Sequence, residues 1–255
     1  MGITRDDSVR SVQPSLRWLT HPLVLSIFAI SIVLTAGTLV IAENSLSRII
    51  EHEALRVAEV AAEQALASRT VYARPVVEKL VADGAGANVD SDHLSGHVPI
   101  PAQFLKELGR ETSRSGQALF KFRPISKWNL EPGQGLTDDF QRWAWSRLHE
   151  QEPAALAGQA GWTPVWRYEE VDSIETLRYL RADPAVAESC VRCHNAYERT
   201  ALIKARRQAT EPGSPVKQWT QNQLLGAIEV LVPLGKVQAL ATTQIRQMGL
   251  MFLGL

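Results

Sequence analysis

The most continuous apolar run in the chain is Pro22 to Ala42, PLVLSIFAISIVLTAGTLVIA, which holds no charged residue. Wound as a helix it is about 31 Å long, enough to cross the hydrocarbon core of a bilayer. It follows some twenty polar residues and exceeds the usual apolar core of a signal peptide, so the pattern predicts an uncleaved anchor. Arg5, Arg10 and Arg17 precede it, and Trp18 sits at the expected interface. The excess of positive charge keeps residues 1–21 in the cytoplasm and sends everything after residue 42 across the membrane.

From Glu43 to Ala82 the composition turns to Ala, Leu, Glu and Arg without glycine, which predicts a long helix. Leu46, Ile49, Ile50, Ala54, Leu55, Ala58, Ala61, Ala62, Ala65 and Leu66 form a broad stripe on it, and Pro75 is expected to kink or divide it. The stripe can face a second copy at its start and the chain's own domain near Tyr72. Asp83 to Gly96 reads as a loop, Ala102 to Ser115 as a helix stopped by Gly116, and Ala118 to Ser126 as a strand. Lys127 to Leu136 is a Pro/Gly loop. Thr137 opens a helix to about Glu150, with Asp138 and Asp139 in its first turn and Phe140, Trp143, Ala144 and Leu148 on its apolar face. Gly161 to Glu170 and Ile174 to Arg181 read as paired strands, and Leu224 to Leu234 is the strongest strand signal. Arg181 to Ser189 reads as a loop, and Ala196 to Gly213, with four basic residues, as a solvated insertion. Residues 236–255 are helical in pattern and turn apolar from Met248, the expected start of a second membrane span. The chain thus divides into a cytoplasmic segment (1–21), an anchor (22–42), a stalk (43–82), a folded domain (83–235) and a C-terminal helix (236–255).

Charge narrows the function. The chain carries 27 basic and 27 acidic residues, which gives no reason to expect nucleic acid. Cysteine narrows it much further. The only two cysteines stand in Cys190-Val-Arg-Cys193-His194, the spacing that attaches a c-type haem. Each thiol adds across one porphyrin vinyl group, and the adjacent imidazole becomes an axial ligand to the iron. The same residues suit other chemistry less well. Zinc needs four ligands, usually two such pairs. A redox dithiol sits at the strand-to-helix turn of a βαβ unit and has no use for the histidine. A disulfide across two residues is strained and closes almost no loop. One covalent haem c is therefore the expected cofactor, with His194 as proximal ligand, and its attachment fits the extracytoplasmic side of a bacterial inner membrane.

The opposite side of the iron is less determined. Residues 43–247 contain no methionine, so the usual partner of an electron-carrying cytochrome c is missing. His52 and His149 read as solvated helix positions. His93 and His97, in the glycine-containing loop before Pro99, are the best candidates for a distal ligand; otherwise the iron is five-coordinate or takes water or a less usual donor. Six of the seven tryptophans fall between Trp128 and Trp219, which fits an aromatic wall around a porphyrin and equally an ordinary core.

Several stretches, in order, resemble one family. They are Thr70-Val-Tyr-Ala-Arg-Pro-Val-Val-Glu-Lys-Leu80, Asp92-His93 ahead of Val98-Pro-Ile-Pro-Ala102, Cys190-Val-Arg-Cys-His-Asn195, Ser214-Pro-Val-Lys-Gln-Trp219 and Gly226-Ala-Ile-Glu-Val230. The family comprises periplasmic single-haem c-type sensor domains, formerly a domain of unknown function, set between membrane helices in bacterial adenylate cyclases, diguanylate cyclases and histidine kinases. The resemblance covers about residues 44 to 240. It implies an α+β fold with a PAS-like antiparallel sheet, a long N-terminal membrane-anchored helix and flanking helices. It also implies haem on Cys190, Cys193 and His194, and a signalling rather than catalytic role. Two stretches depart from the pattern: Ala196 to Gly213 lengthens the step after the haem motif, and Arg123-Pro-Ile-Ser-Lys matches only loosely. Some relatives place a cysteine on the distal side, and this chain has none to spare.

The expected function is therefore a membrane-anchored periplasmic sensor of redox state or a diatomic gas, serving as the input domain of a signalling protein. The alternative is a periplasmic monohaem electron-transfer cytochrome. No catalytic motif points to an enzyme. The expected partners are the inner membrane, a second copy through the 44–82 helix, and a small gas or redox donor.

Overall fold

The computed structural model describes residues 22–114, 118–128, 135–210, 212–213, 215–240 and 242–243. The chain divides into two units, Met1–Ile49 and Ile50–Leu255. Helix α1 is assigned over Pro22–Val71. In the first unit Leu23, Leu25, Ile27, Phe28, Ile30 and Ile32 of this helix are exposed. Among the described residues this is the one helix with a window long and apolar enough to cross a membrane.

In the second unit α1 is amphipathic in an unusual way, because small residues form its inner face. Ala54, Ala58, Ala61, Ala62 and Ala65 are buried, which lets a helix backbone approach closely. Packing within the unit therefore begins at Ile50, well before Tyr72. Pro75 neither ends nor sharply divides the helix. A π-helical turn, Tyr72–Glu78, takes it up, and the helix resumes as α2, Lys79–Ala82. Proline cannot donate to the ladder, and a wider turn accommodates its ring.

The expected loop at 83–96 contains structure. Strands β1, Gly86–Asn88, and β2, His97–Pro99, pair in parallel around a short 3-10 turn, Ser91–His93. Three-residue strands are too short to leave a periodic signal. Helix α3 follows at Pro101–Arg114 with proline in its first position, where its missing N–H costs nothing. The stop expected at Gly116 lies outside the described residues, as do residues 129–134 of the expected Pro/Gly loop and the apolar end from Met248.

The main sheet is antiparallel throughout, in the order β3-β6-β5-β4. Its strands are β3, Lys121–Ile125; β4, Val165–Val171; β5, Ile174–Pro184; and β6, Leu224–Pro233. Asp172 and Ser173 join β4 to β5 with φ of 51° and 62°, the two left-handed residues of a tight hairpin whose twist suits the strands. β5 runs three residues beyond the sequence expectation because Ala182 and Asp183 still pair with Ala227 and Gly226. Helix α4, Asp139–Leu156, is capped by the Asp138 carboxylate, which accepts from the Gln141 amide at 2.9 Å. It covers one sheet face through Phe140, Ala144 and Leu148, packed on Ile125, Leu180, Ala182 and Ala227. α1 covers the other face, with Glu63 paired to Arg181 at 3.0 Å. α3 lies so close to β3 that a side chain at Gly109 would meet the Phe122 carbonyl at 2.5 Å.

Under α4 the sheet carries charge. Glu229 of β6 is fully buried and accepts from Arg178, from Arg123 at 2.7 Å and from Gln141 at 2.7 Å. Arg178 also reaches Glu169 at 2.7 Å and Asp138 at 2.8 Å, and lies 4.4 Å from the Phe140 ring centre. Burial alone would push the Asp138 carboxyl up; hydrogen bonds from Arg178 and the Gln141 amide outweigh it and hold the group below its ordinary range. Replacing Glu229 by Ala leaves two guanidiniums facing the gap, and urea unfolding of the full chain in detergent should show a loss of about 3–5 kcal/mol. An unchanged midpoint would contradict this account of the sheet.

Candidate functional site

The cysteine motif lies on a helix. β5 ends at Pro184, Ala185 exchanges backbone hydrogen bonds of 2.9 Å with Asn222 and Gln223, and helix α5 spans Glu188–Glu198. The expected loop at 181–189 is thus a strand end, a three-residue step and a helix start. The motif does stand at a strand-to-helix step, contrary to expectation. Yet β5 and β6 are antiparallel, so no βαβ unit forms. Residues 190, 193 and 194 stand at helical spacings of three and four, which places both thiols and the imidazole on one side of α5.

That side faces a cavity of about 1470 Å³, lined also by the π-helical turn, α3, β3 and the start of β6. Cys190, Cys193 and His194 are all on its wall. Its apolar lining includes Val77, Leu105 and Leu225, which are buried. The volume exceeds the usual range for a small-molecule pocket. Eight arginine and lysine side chains line it against two carboxylates, Glu78 and Asp183, although the chain as a whole is balanced. The cavity therefore has room for a large guest against a partly apolar wall, and some of its basic side chains are already paired with carboxylates, as Arg69 is with Asp183 and Arg123 with Glu229.

The thiols are free. Burial pushes the Cys193 thiol up, with Cys190 and Glu78 adding to the effect and Arg192 opposing it. His194 is accessible from the cavity, but surrounding protein and the nearby Arg69 and Arg207 guanidiniums, against Glu198, hold its pKa down at about 4. The imidazole is therefore neutral at physiological pH, the form that can donate a lone pair to a metal. Among the described residues no three His, Cys, Asp or Glu side chains gather as a metal cluster. The donor set here is one imidazole beside two thiols, which fits a porphyrin iron better than a free ion.

Neither His93 nor His97 is among the cavity-lining residues. Both are exposed. The His97 ring lies against Gly86, which does line the cavity, and its Nδ1 is 3.0 Å from the Ser95 carbonyl. Their segment reaches the π-helical turn through Tyr72, which donates to the Pro99 carbonyl at 2.9 Å and stacks on Phe104 at 4.3 Å. His52 is exposed on α1, and His149 stands 3.1 Å from Glu152.

Two groups of site residues escaped the sequence reading. One is Arg69 of α1 with Asp183 at the end of β5, 2.7 Å apart on the cavity wall as an ion pair by distance, though not aligned as a hydrogen bond. The other surrounds Trp219. Asn195, next to His194, accepts from the Trp219 amide at 2.7 Å and donates to its carbonyl at 3.0 Å. These contacts tie two stretches 24 residues apart, both noted for their resemblance to the same family. The intervening insertion is not simply solvated: helix α6, Ala201–Thr210, buries Ile203, and Arg207 pairs with Glu198 at 2.5 Å.

A model of the Tll0287-like family matches residues 46–233, so the chain belongs to the Tll0287-like family. A solved structure, described as that of the cyanobacterial heme-protein Tll0287, is 16% identical with a TM-score of 0.41. The match covers 68% of this chain and 91% of that one. No curated protein matches the chain.

Burial raises the Asp183 carboxyl above its ordinary pKa, while Arg69 pulls it back down. Replacing Arg69 by Met leaves that carboxylate buried without its cation, at a cost of about 3 kcal/mol at pH 7. The cost should shrink at pH 5, because a carboxyl with a raised pKa takes up a proton and sheds its charge as pH falls. Equal losses in urea unfolding at the two pH values would contradict this.

Proposed function

We propose that the chain is a membrane-anchored c-type haem protein whose haem domain faces the periplasm. It would act as a redox or diatomic-gas sensor, the input domain of a signalling protein. The observation that carries the reading is the meeting of Cys190, Cys193 and a neutral His194 on one side of α5, against a cavity large enough for a porphyrin. Membership of a family named for a protein described as a heme-protein supports it.

The residues present fit the cofactor. Cys190 and Cys193 would hold the macrocycle through thioethers, and His194 would ligate the iron. The bound haem supplies an iron whose oxidation state and sixth ligand can change. The chain supplies the surroundings. Val77, Leu105 and Leu225 would give a bound haem an apolar, water-poor wall, and the arginines of the wall would offset its negative charge. An uneven split of basic and acidic side chains in the cavity suits carboxylates buried beside apolar surface.

The sensing role is supported by connectivity. α5 leaves the end of β5, and β6 returns from Trp219 into a helix at residues 234–240. A displacement at His194 thus has a short covalent and hydrogen-bonded route to the C-terminal helix. A PAS-like fold is consistent with the antiparallel sheet flanked by helices, and pairing of two copies through the α1 stalk would complete a transmembrane input module. The apolar N-terminal half of α1 supplies the anchor.

Expression with the c-type haem maturation machinery tests attachment. The wild-type chain should keep haem stain in a denaturing gel, and replacing both Cys190 and Cys193 by Ala should abolish it; stain that persists would overturn the covalent reading. Absorption spectra of the reduced holoprotein with CO and NO test the role. A gas sensor shifts its bands on addition of either gas, whereas unchanged bands together with rapid electron exchange with a donor would favour the electron-transfer alternative.

A further inference from the structure

The imidazole of an iron-ligating histidine is usually fixed by a hydrogen bond from its other ring nitrogen to a carbonyl or carboxylate. Among the described residues His194 has no such protein partner. What touches its ring is Trp219, edge-on, with centres 5.7 Å apart and an interplanar angle of 73°. We propose that Trp219 is a positioning residue for His194, setting the rotation of its imidazole in place of the missing hydrogen bond. The inference rests on His194 ligating a haem iron.

Trp219 is built to be rigid. It is 3% exposed. Asn195 clamps its backbone at both the amide and the carbonyl, at 2.7 and 3.0 Å. The clamp belongs to the residue next to His194, so ring and wall are held in a common frame. The indole N–H donates to buried Glu198 at 3.3 Å, and Glu198 is held in turn by Arg207 at 3.1 and 2.5 Å. Arg207 also donates to the Trp128 carbonyl at 2.9 Å, and the Trp128 ring meets Trp219 edge-on at 5.9 Å and 88°. An aromatic edge held this way restricts a neighbouring ring through packing and the quadrupole of the π-system. It lends no negative charge, so the imidazole stays a weaker donor than one bonded to a carboxylate.

The test is the electron paramagnetic resonance spectrum of the oxidised, haem-loaded full chain, which responds to imidazole orientation, with circular dichroism as a check on folding. Wild type should show one species. Trp219→Leu should lose that single species and show a broadened or split spectrum. Trp219→Phe, which keeps an aromatic edge but not the N–H donor, should restore it. Asn195→Ala, a smaller change, should broaden the spectrum without loss of fold, and it carries the test should Trp219→Leu fail to fold. A single unchanged species in both Trp219→Leu and Asn195→Ala would overturn the positioning role while leaving haem attachment intact. Absence of covalent haem in the wild type would instead overturn the haem reading, and this inference with it.

Discussion

The antiparallel ladder between β5 and β6 is the constraint on which the rest depends. It runs from Thr176 opposite Pro233 to Pro184 opposite Leu224 and buries both its faces. Because side chains alternate, one register sends Arg178, Leu180 and Glu229 toward α4 and Tyr179, Arg181 and Val230 toward α1. A slip of one residue would exchange a buried ion network for an apolar face. The network under α4 therefore serves as a register lock as much as a source of stability, since a buried arginine is tolerated only where its carboxylates meet it.

The candidate site hangs from the end of that ladder. Asp183, in the last regular rung, reaches Arg69 on α1, and α5 begins five residues later at Glu188. Gln223 and Asn222, just before β6, bond Ala185 in the connecting step. The start of α5 is thus tied to both central strands. The cavity lies between the π-helical turn at Pro75, α5, and α3, which seats Gly109 on the β3 backbone.

Much of this was legible in the sequence. The strand pair that became β4 and β5, β6, the existence of α4 and the long first helix follow from periodicity, because each is long; the start of α4 does not, since Asp138 is its cap and not part of its first turn as the sequence suggested. Cys190, Cys193 and His194 stood out as candidates because two cysteines and a histidine at that spacing have few chemical uses. What was not legible depends on contacts between distant residues. β1 and β2 are too short for periodicity, and β5 is extended by pairing with β6 rather than by its own pattern. Arg206 and Arg207 read as solvated charges, yet Arg207 is drawn inward by Glu198 and α6 buries Ile203. Asn195 and Trp219 each gave a local signal, but only the fold brings them together beside His194.

The most direct test of the account is the pyridine haemochrome spectrum of the full chain purified after expression with the maturation machinery. Its band position reports whether the porphyrin vinyl groups are intact or saturated. The account predicts one haem per chain with both vinyls saturated, as required when Cys190 and Cys193 each carry a thioether. A chain that purifies folded but without haem, or with a haem whose vinyls are intact and which leaves on acid extraction, would contradict it.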